Sequence, residues 1–353
     1  MALSALPRPI RGRDALAPPG PPSRAAARRG TLFGRLLRLP ARPEHDRSDQ
    51  PRPLHFGSYR AVEVIGSGGM STVFGAVHAV TGAAAAVKVL PLALCSVPEL
   101  RSRLELEAAV LRRLDHPNVV KVLEVGEVDR HLGGGCYLVE EWLPNSLDRV
   151  LEARRPDLLP IGTALWIAHG VALALAAVHA AGLAHRDVKP SNVLVRADGT
   201  PVLADFGLAV ALEAPADRRR LTPTNVIVGT AAYLSPEQVE GGRVDERSDL
   251  YSLGVVLYEL LSGEVPFART SPLATLQAHL EEPPPPLPPR VPDGVRAIVT
   301  RALEKRPEDR FPSAASMASA LEAALQVRRP AATADWQHLS ERNEYRSEVC
   351  TRC

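Results

Sequence analysis

Ala184–Val195 reads AHRDVKPSNVLV and holds one of only four lysines in a chain that carries 38 arginines. Almost every basic position has gone to arginine, so a retained lysine is informative. Arginine holds charge equally well, whereas lysine offers a compact, rotatable ammonium. Lys189 stands two residues after Asp187 and three before Asn192, and thirteen residues beyond Asn192 comes Asp205-Phe206-Gly207. Two aspartates and an asparagine on neighbouring loops supply hard oxygen ligands for Mg²⁺ and one carboxylate for the proton of a substrate hydroxyl. Each piece alone is an ordinary turn; together, their order and spacing mark one site.

Upstream, Gly66-Ser67-Gly68-Gly69-Met70-Ser71 lies between the β-rich runs AVEVI and TVFGAV. A glycine turn between two strands lets backbone N–H groups approach an anionic phosphate closely. No helix follows it, which counts against a dinucleotide-binding βαβ unit, and the lysine of a Walker loop is missing. Lys88 sits in the strand AVKVL among apolar neighbours, where an ammonium needs a partner. Glu107, in the run EAAVLRRLDHP, is the predicted one. Lys121 and Lys305 read as surface positions.

The runs YRAVEVI, TVFGAVHAV and AAAAVKVL, separated by glycine turns, predict successive antiparallel strands from Tyr59. A helix over Glu99–Leu114, stopped by Pro117, and two strands, VVKVLEV and CYLVEEW, complete a small lobe ending near Leu143. Beyond Pro144 the pattern is mostly helical. Ile161–Gly182 has no charged residue and is long enough to span a bilayer, but its alanine content and two histidines fit a buried core helix better. The proline cluster within Glu282–Pro292 reads as a helix connection, with docking to an SH3-type groove as the alternative.

Formal charge is +2 and aromatics are 4% of the chain, which argues against a nucleic-acid surface or stacking platform. Cys95, Cys136, Cys350 and Cys353 are too few for a disulfide framework, and the terminal C-x-x-C lacks a second ligand pair for zinc. Residues 1–56 hold eleven arginines, ten prolines and four acids without a sustained period and read as a disordered basic tail. Residues 326–353 read as a second tail. With no secretory signal and no external sensor in view, a cytoplasmic location is expected; an organelle address in the basic tail is the alternative.

GSGGMSTVF, HRDVKPSN and GTAAYLSPEQ closely resemble the protein kinase superfamily, in particular bacterial serine/threonine kinases of the eukaryotic type. The resemblance covers residues 59–325. It implies an α+β, bilobal fold: a small antiparallel sheet with one helix over 59–143, and a larger, mainly helical lobe over 144–325. It implies ATP with Mg²⁺, or Mn²⁺ as an alternative ion, and protein substrates bearing Ser or Thr. A homodimer is the partner that autophosphorylation in trans would use.

Carried over residue by residue, the resemblance places Ile65, Gly66, Ser67, Gly68, Gly69, Met70, Ser71, Val73, Lys88, Glu107, Glu141 and Leu143 around the nucleotide. Lys88 would hold its phosphates and pair with Glu107. Asp187 would accept the hydroxyl proton, Lys189 would follow the γ-phosphate, and Asn192 and Asp205 would hold Mg²⁺. His185, Arg186, Thr230, Glu237, Asp249 and Arg310 would be structural: Thr230 bonding Asp187 and Lys189, Glu237 pairing with Arg310, Asp249 bonding the catalytic-loop backbone. Thr222 and Thr224 are candidate phosphorylation sites whose phosphate would pair with Arg186.

Three positions depart from the commonest pattern: Ser71 for a third glycine, Ser235 for the alanine of A-P-E, and Glu140, which aligns with an apolar or threonine position at the back of the adenine pocket. A carboxylate is expensive to bury there. Besides an active serine/threonine kinase, two other functions fit: a pseudokinase scaffold, and a small-molecule phosphotransferase, which usually lacks the segment between Asp205 and Glu237.

Overall fold

The computed structural model describes residues 54–67, 71–206 and 230–326. Residues 1–53, 68–70, 207–229 and 327–353 lie outside the described residues, and with them Gly68, Gly69, Met70, Thr222 and Thr224. The end of the expected disordered tail, His55–Phe56, is instead a strand, because the Phe56 ring is 2% exposed and packs on Phe74 and Tyr137.

The smaller lobe is a six-stranded antiparallel sheet. Its strands are β1 (His55–Phe56), β2 (Tyr59–Ser67), β3 (Thr72–His78), β4 (Ala84–Pro91), β5 (Val122–Glu127) and β6 (Gly135–Glu141), in the order β1-β2-β3-β4-β6-β5. Helices α1 (Leu92–Cys95) and α2 (Pro98–Arg113) intervene between β4 and β5. β4 is buried almost without alternation, with Val87, Val89 and Leu90 all 3% exposed or less. A strand covered on both faces loses the in–out period of a half-exposed one.

The lobe has two helices where one was expected. α1 is a single turn after Pro91, too short to show a helical period, and its Cys95 packs with Leu90 and Cys136 under Leu94 and Leu104. Both thiols are free. α2 starts with Pro98 in its first turn, where the missing N–H is no loss, and ends on Arg112 and Arg113, which suit the negative end of the helix dipole.

The larger lobe contains α3 (Leu147–Arg154), α4 (Ile161–Ala180), α5 (Pro236–Glu240), α6 (Arg247–Ser262), α7 (Pro272–Glu281), α8 (Asp293–Ala302) and α9 (Ala314–Gln326). A small sheet, β7 (Asn145–Ser146), β8 (Val193–Val195) and β9 (Pro201–Leu203), lies at its upper edge. α4 is long and apolar enough to cross a membrane, yet 67% of its apolar window is buried inside the domain. It is the core helix, packed between α6 and α9. A helix apolar all round has no face to give to water. Gly170 lets β9 lie close: a Cβ there would stand 2.4 Å from Pro201.

Two backbone bonds stitch the lobes beside that contact, Val120 N–H to the Leu203 carbonyl at 2.9 Å and Leu203 N–H to the Asn118 carbonyl at 2.8 Å. β9 is thereby held against the smaller lobe, and the residues that follow it emerge between the two.

The proline segment is a packed connection: Leu287 and Val291 are buried, and Arg296 donates to the Pro288 and Val291 carbonyls. Lys305 is not a surface residue. It is half-buried, donates to the His279 carbonyl at the C-terminal end of α7 at 2.7 Å, and lies 4.3 Å from the Phe267 ring centroid. Removal from water and the neighbouring Arg310 push its pKa down to about 8.

Candidate active site

The catalytic-loop candidates converge as hydrogen-bonded neighbours. Lys189 Nζ donates to Asp187 Oδ2 at 2.6 Å, and Asn192 Nδ2 donates to the same oxygen at 3.0 Å and to the Asp187 carbonyl at 2.8 Å. Asn192 is 3% exposed, whereas the Asp187 and Lys189 side chains keep 23% and 20% of their surface open. One carboxylate, one cation and one clamped amide are therefore gathered at a partly open position.

Asp205 follows β9 with a φ of +65°, a left-handed conformation uncommon outside glycine. Its carboxylate meets Lys88 Nζ at 2.7 Å. Burial pushes the Asp205 carboxyl up, but Lys88, with help from the other cations nearby, holds it below the usual carboxylate range. Asp205 is thus an anion in the site.

Lys88 is 7% exposed and takes Asp205, not the predicted Glu107, as its ion-pair partner. The reason is placement: β9, stitched to the smaller lobe, delivers a carboxylate directly to the β4 ammonium. Glu107, half-buried on α2, is engaged in interactions of its own.

The spare acceptors fit a divalent cation. Asn192 directs its Nδ2 to Asp187, its Oδ1 meets only the Ser191 hydroxyl at 3.5 Å and keeps a lone pair for a cation, and the Asn192 carbonyl accepts the Ala204 N–H next to Asp205 at 2.9 Å. An ionised carboxylate and an amide oxygen on adjoining segments are the hard donors Mg²⁺ takes. Among the described residues there is no cluster of three or more His, Cys, Asp or Glu, so any ion here draws its remaining ligands from substrate or water.

Behind these groups stands a layer that the sequence reading caught only in part. Asp249, in the first turn of α6, is fully buried. Its Oδ1 accepts the Arg186 N–H at 2.6 Å, and its Oδ2 accepts the His185 N–H at 2.8 Å. His179 Nε2 also meets Oδ2 at 2.8 Å. A carboxylate only accepts, so Nε2 carries the proton. The uncharged stretch that held His179 was the one sequence signal for this role. His185, itself fully buried, bonds the Ala204 carbonyl through Nε2 at 2.8 Å and packs edge-on against Phe206.

Glu237 and Arg310 form the predicted pair, with guanidinium–carboxylate bonds of 2.7 and 2.8 Å. Arg310 places all five N–H donors: two on Glu237 and one each on the carbonyls of Glu304, Arg247 and Lys305. Burial pushes Glu237 up, the Arg310 bonds pull it down, and the net value lies below the ordinary range. Thr230 opens the single 3₁₀ turn Thr230–Tyr233.

On the sheet, Val73 pairs with Lys88, Lys88 with Leu138, and Ala86 with Glu140. Directly opposed residues share a face, so Val73, Ala86, Leu138 and Glu140 line the face from which Lys88 reaches Asp205. Ile65, Gly66 and Ser67 end β2, with Ser71 just before β3 and Leu143 just after β6. Glu140 is 7% exposed, and its carboxylate has no hydrogen-bond donor among the described residues. Burial, then the Asp205 charge, push its carboxyl up to about 7 against the opposing pull of Lys88. Glu141, the next residue, receives a two-pronged bond from Arg196 at 2.7 and 2.8 Å and the Lys121 N–H at 3.0 Å. Sequence reasoning missed Arg196 entirely.

The protein kinase domain profile matches residues 59–322. Serine/threonine-protein kinase PknA of Mycobacterium tuberculosis strain H37Rv is 40% identical over 276 residues, covering 78% of this chain and 63% of that protein. A probable serine/threonine-protein kinase PknB of Corynebacterium glutamicum is 39% identical over 270 residues, covering 74% of this chain and 41% of that protein. This chain therefore spans less than two thirds of the length of these relatives. The crystal structure of the M. tuberculosis PknI kinase domain superposes with a TM-score of 0.59 at 30% identity, covering 78% of this chain and 99% of that one. In fold, in sequence and in the residues gathered around Asp187, this chain belongs to the protein kinase family.

Proposed function

We propose that this chain is an ATP-dependent protein kinase that transfers the γ-phosphoryl group to Ser and Thr hydroxyls of proteins. The carrying observation is that Asp187, Lys189 and Asn192 are mutually hydrogen-bonded, on a loop adjoining the Lys88–Asp205 pair. Asp187 accepts the proton of the attacking hydroxyl as its oxygen bonds to the γ-phosphorus and the bond to ADP breaks. Lys189, already on Asp187, needs only side-chain rotation to follow charge that builds on the migrating group. Mg²⁺, held by Asn192 and Asp205, would supply charge neutralisation for the phosphates. Lys88 is the buried cation for the remaining phosphate charge. Thr222 and Thr224 remain the acceptors proposed for autophosphorylation.

Incubation with Mg-ATP and a generic basic protein, comparing wild type with Lys88→Met and Asp187→Ala, tests the reading. Phosphate transfer by wild type should fall at least about a hundredfold in both variants. Equal transfer in all three would remove these residues from the reaction. No transfer by wild type would put the scaffold reading in its place.

A further inference from the structure

Arg186, the residue before the proposed proton acceptor, has a φ of +64°. A non-glycine residue held there is strained and persists only where its surroundings over-determine it. Two side chains from separate helices do so. On the amide side, Asp249 takes the Arg186 N–H at 2.6 Å. On the carbonyl side, Gln238 Nε2 donates to the Arg186 oxygen at 2.9 Å. That carbonyl belongs to the peptide unit whose nitrogen is Asp187's own.

Gln238 is itself held at its other end. Its Oε1 accepts the Ser235 N–H at 3.0 Å and lies 3.0 Å from Ser235 Oγ, closing the capping box at the start of α5. A backbone N–H can only donate and a carbonyl can only accept, so these two contacts fix which end of the amide faces Arg186. Glu237, one residue earlier, is pinned by Arg310. Gln238 therefore projects from an anchored turn and carries two opposite hydrogen-bonding duties, of which only one concerns its own helix.

We propose that Gln238 is a positioning residue for phosphoryl transfer: by holding the Arg186 carbonyl it fixes the Arg186–Asp187 peptide plane and so the direction in which the Asp187 carboxylate points. The inference rests on the reading of Asp187 as the proton acceptor. It also links the far end of the segment between Asp205 and Glu237 to the catalytic loop, because α5 closes that segment. A displaced α5 would release the carbonyl and let the loop relax.

Gln238→Glu separates the two duties. The substitution keeps size and shape, one carboxylate oxygen still accepts the Ser235 N–H, and an acid near a helix N-terminus is favourable. The other oxygen then faces the Arg186 carbonyl, acceptor against acceptor. Steady-state kinetics on the full chain with Mg-ATP and a basic protein should show kcat reduced about tenfold to a hundredfold, the scale of a small misplacement of a catalytic group. The KM for ATP should stay within about twofold of wild type and the melting temperature within about 2 °C. Gln238→Ala should match the kcat loss and melt lower, having lost the cap as well.

Unchanged kcat in Gln238→Glu, or a fall that merely tracks the fraction of folded protein, overturns the assignment. So does a change confined to KM. Asp187→Asn, measured alongside, separates the two levels. If it is inactive while Gln238→Glu is normal, only the positioning role falls. If Asp187→Asn is as active as wild type, the reading of Asp187 falls and this inference with it.

Discussion

Asp249 at the head of α6 and Glu140 near the end of β6 are both buried acids, 0% and 7% exposed, with opposite surroundings. Asp249 accepts from two backbone N–H groups and a histidine. Its position in a helix's first turn adds the favourable end of the dipole. Glu140 has no donor among the described residues, and its charged neighbours are Asp205, Glu141 and a Lys88 already committed to Asp205. Burial alone thus says little about what an acid does. The first is a joint that shapes the loop around it; the second is an acid without a donor on the face that looks into the cleft.

The largest consequence is expected at the joint. Asp249→Ala leaves two buried N–H groups and the His179 ring without their acceptor. At about 1–3 kcal/mol for each of the three orphaned donors, denaturation should report a loss of about 3–9 kcal/mol. The left-handed Arg186 would lose one of its two restraints, so phosphate transfer should fall beyond what the unfolded fraction explains. A loss under about 1 kcal/mol would mean that water replaces the carboxylate easily, and the contrast with Glu140 would dissolve.

Glu140 should respond in the reverse sense. Its carboxyl, ordinarily near 4.5, is pushed up to about 7 in the folded chain. The folded state therefore holds this proton more tightly than the unfolded state does. The associated stability is fully present below about pH 4.5 and disappears as pH rises through about 7. A shift of that size corresponds to about 3 kcal/mol. Glu140→Leu removes the titration, so its stability relative to wild type should grow by about 3 kcal/mol between pH 4.5 and pH 8. Denaturant unfolding across that range checks it; parallel curves for the two proteins would show that the acid finds donors after all.

The chemistry of the loop was legible because phosphate transfer dictates residue types at fixed short spacings: Asp187, Lys189 and Asn192 fall within six consecutive residues, and their mutual bonds follow. The Glu237–Arg310 pair was legible only through family resemblance, since nothing local ties residues so far apart. Partners across the chain were the harder matter. Lys88 was matched to Glu107 because a buried ammonium needs an acid, yet the strand stitching that brings Asp205 nearer leaves no mark in the sequence. His179, in the apolar helix, and Gln238, at the end of the GTAAYLSPEQ motif, were assigned no role of their own, because their roles reside in partners 50 or more residues away. α1 escaped because four residues cannot display a period. Glu140 did stand out, as the wrong residue type for its place, although its lack of donors is a three-dimensional fact.

The smallest expected effect concerns Glu141, adjacent to Glu140 but on the opposite face of β6, since successive strand residues alternate. Its bond from Arg196 has good two-pronged geometry, but the two side chains keep 21% and 32% of their surface open. Water and salt screen such a pair, and the Lys121 N–H gives the carboxylate a second donor when Arg196 is removed. A double-mutant cycle with Arg196→Ala and Glu141→Ala should therefore return a coupling of about 0.5–1 kcal/mol, shrinking as salt is raised. A coupling of 2 kcal/mol or more, insensitive to salt, would place Glu141 with Asp249 among the joints. The tether between β6 and the strand pair β8–β9 would then be a rigid part of the site. The expected small value instead leaves that connection compliant, so the two lobes can adjust around the Lys88–Asp205 pair without breaking a strong bond.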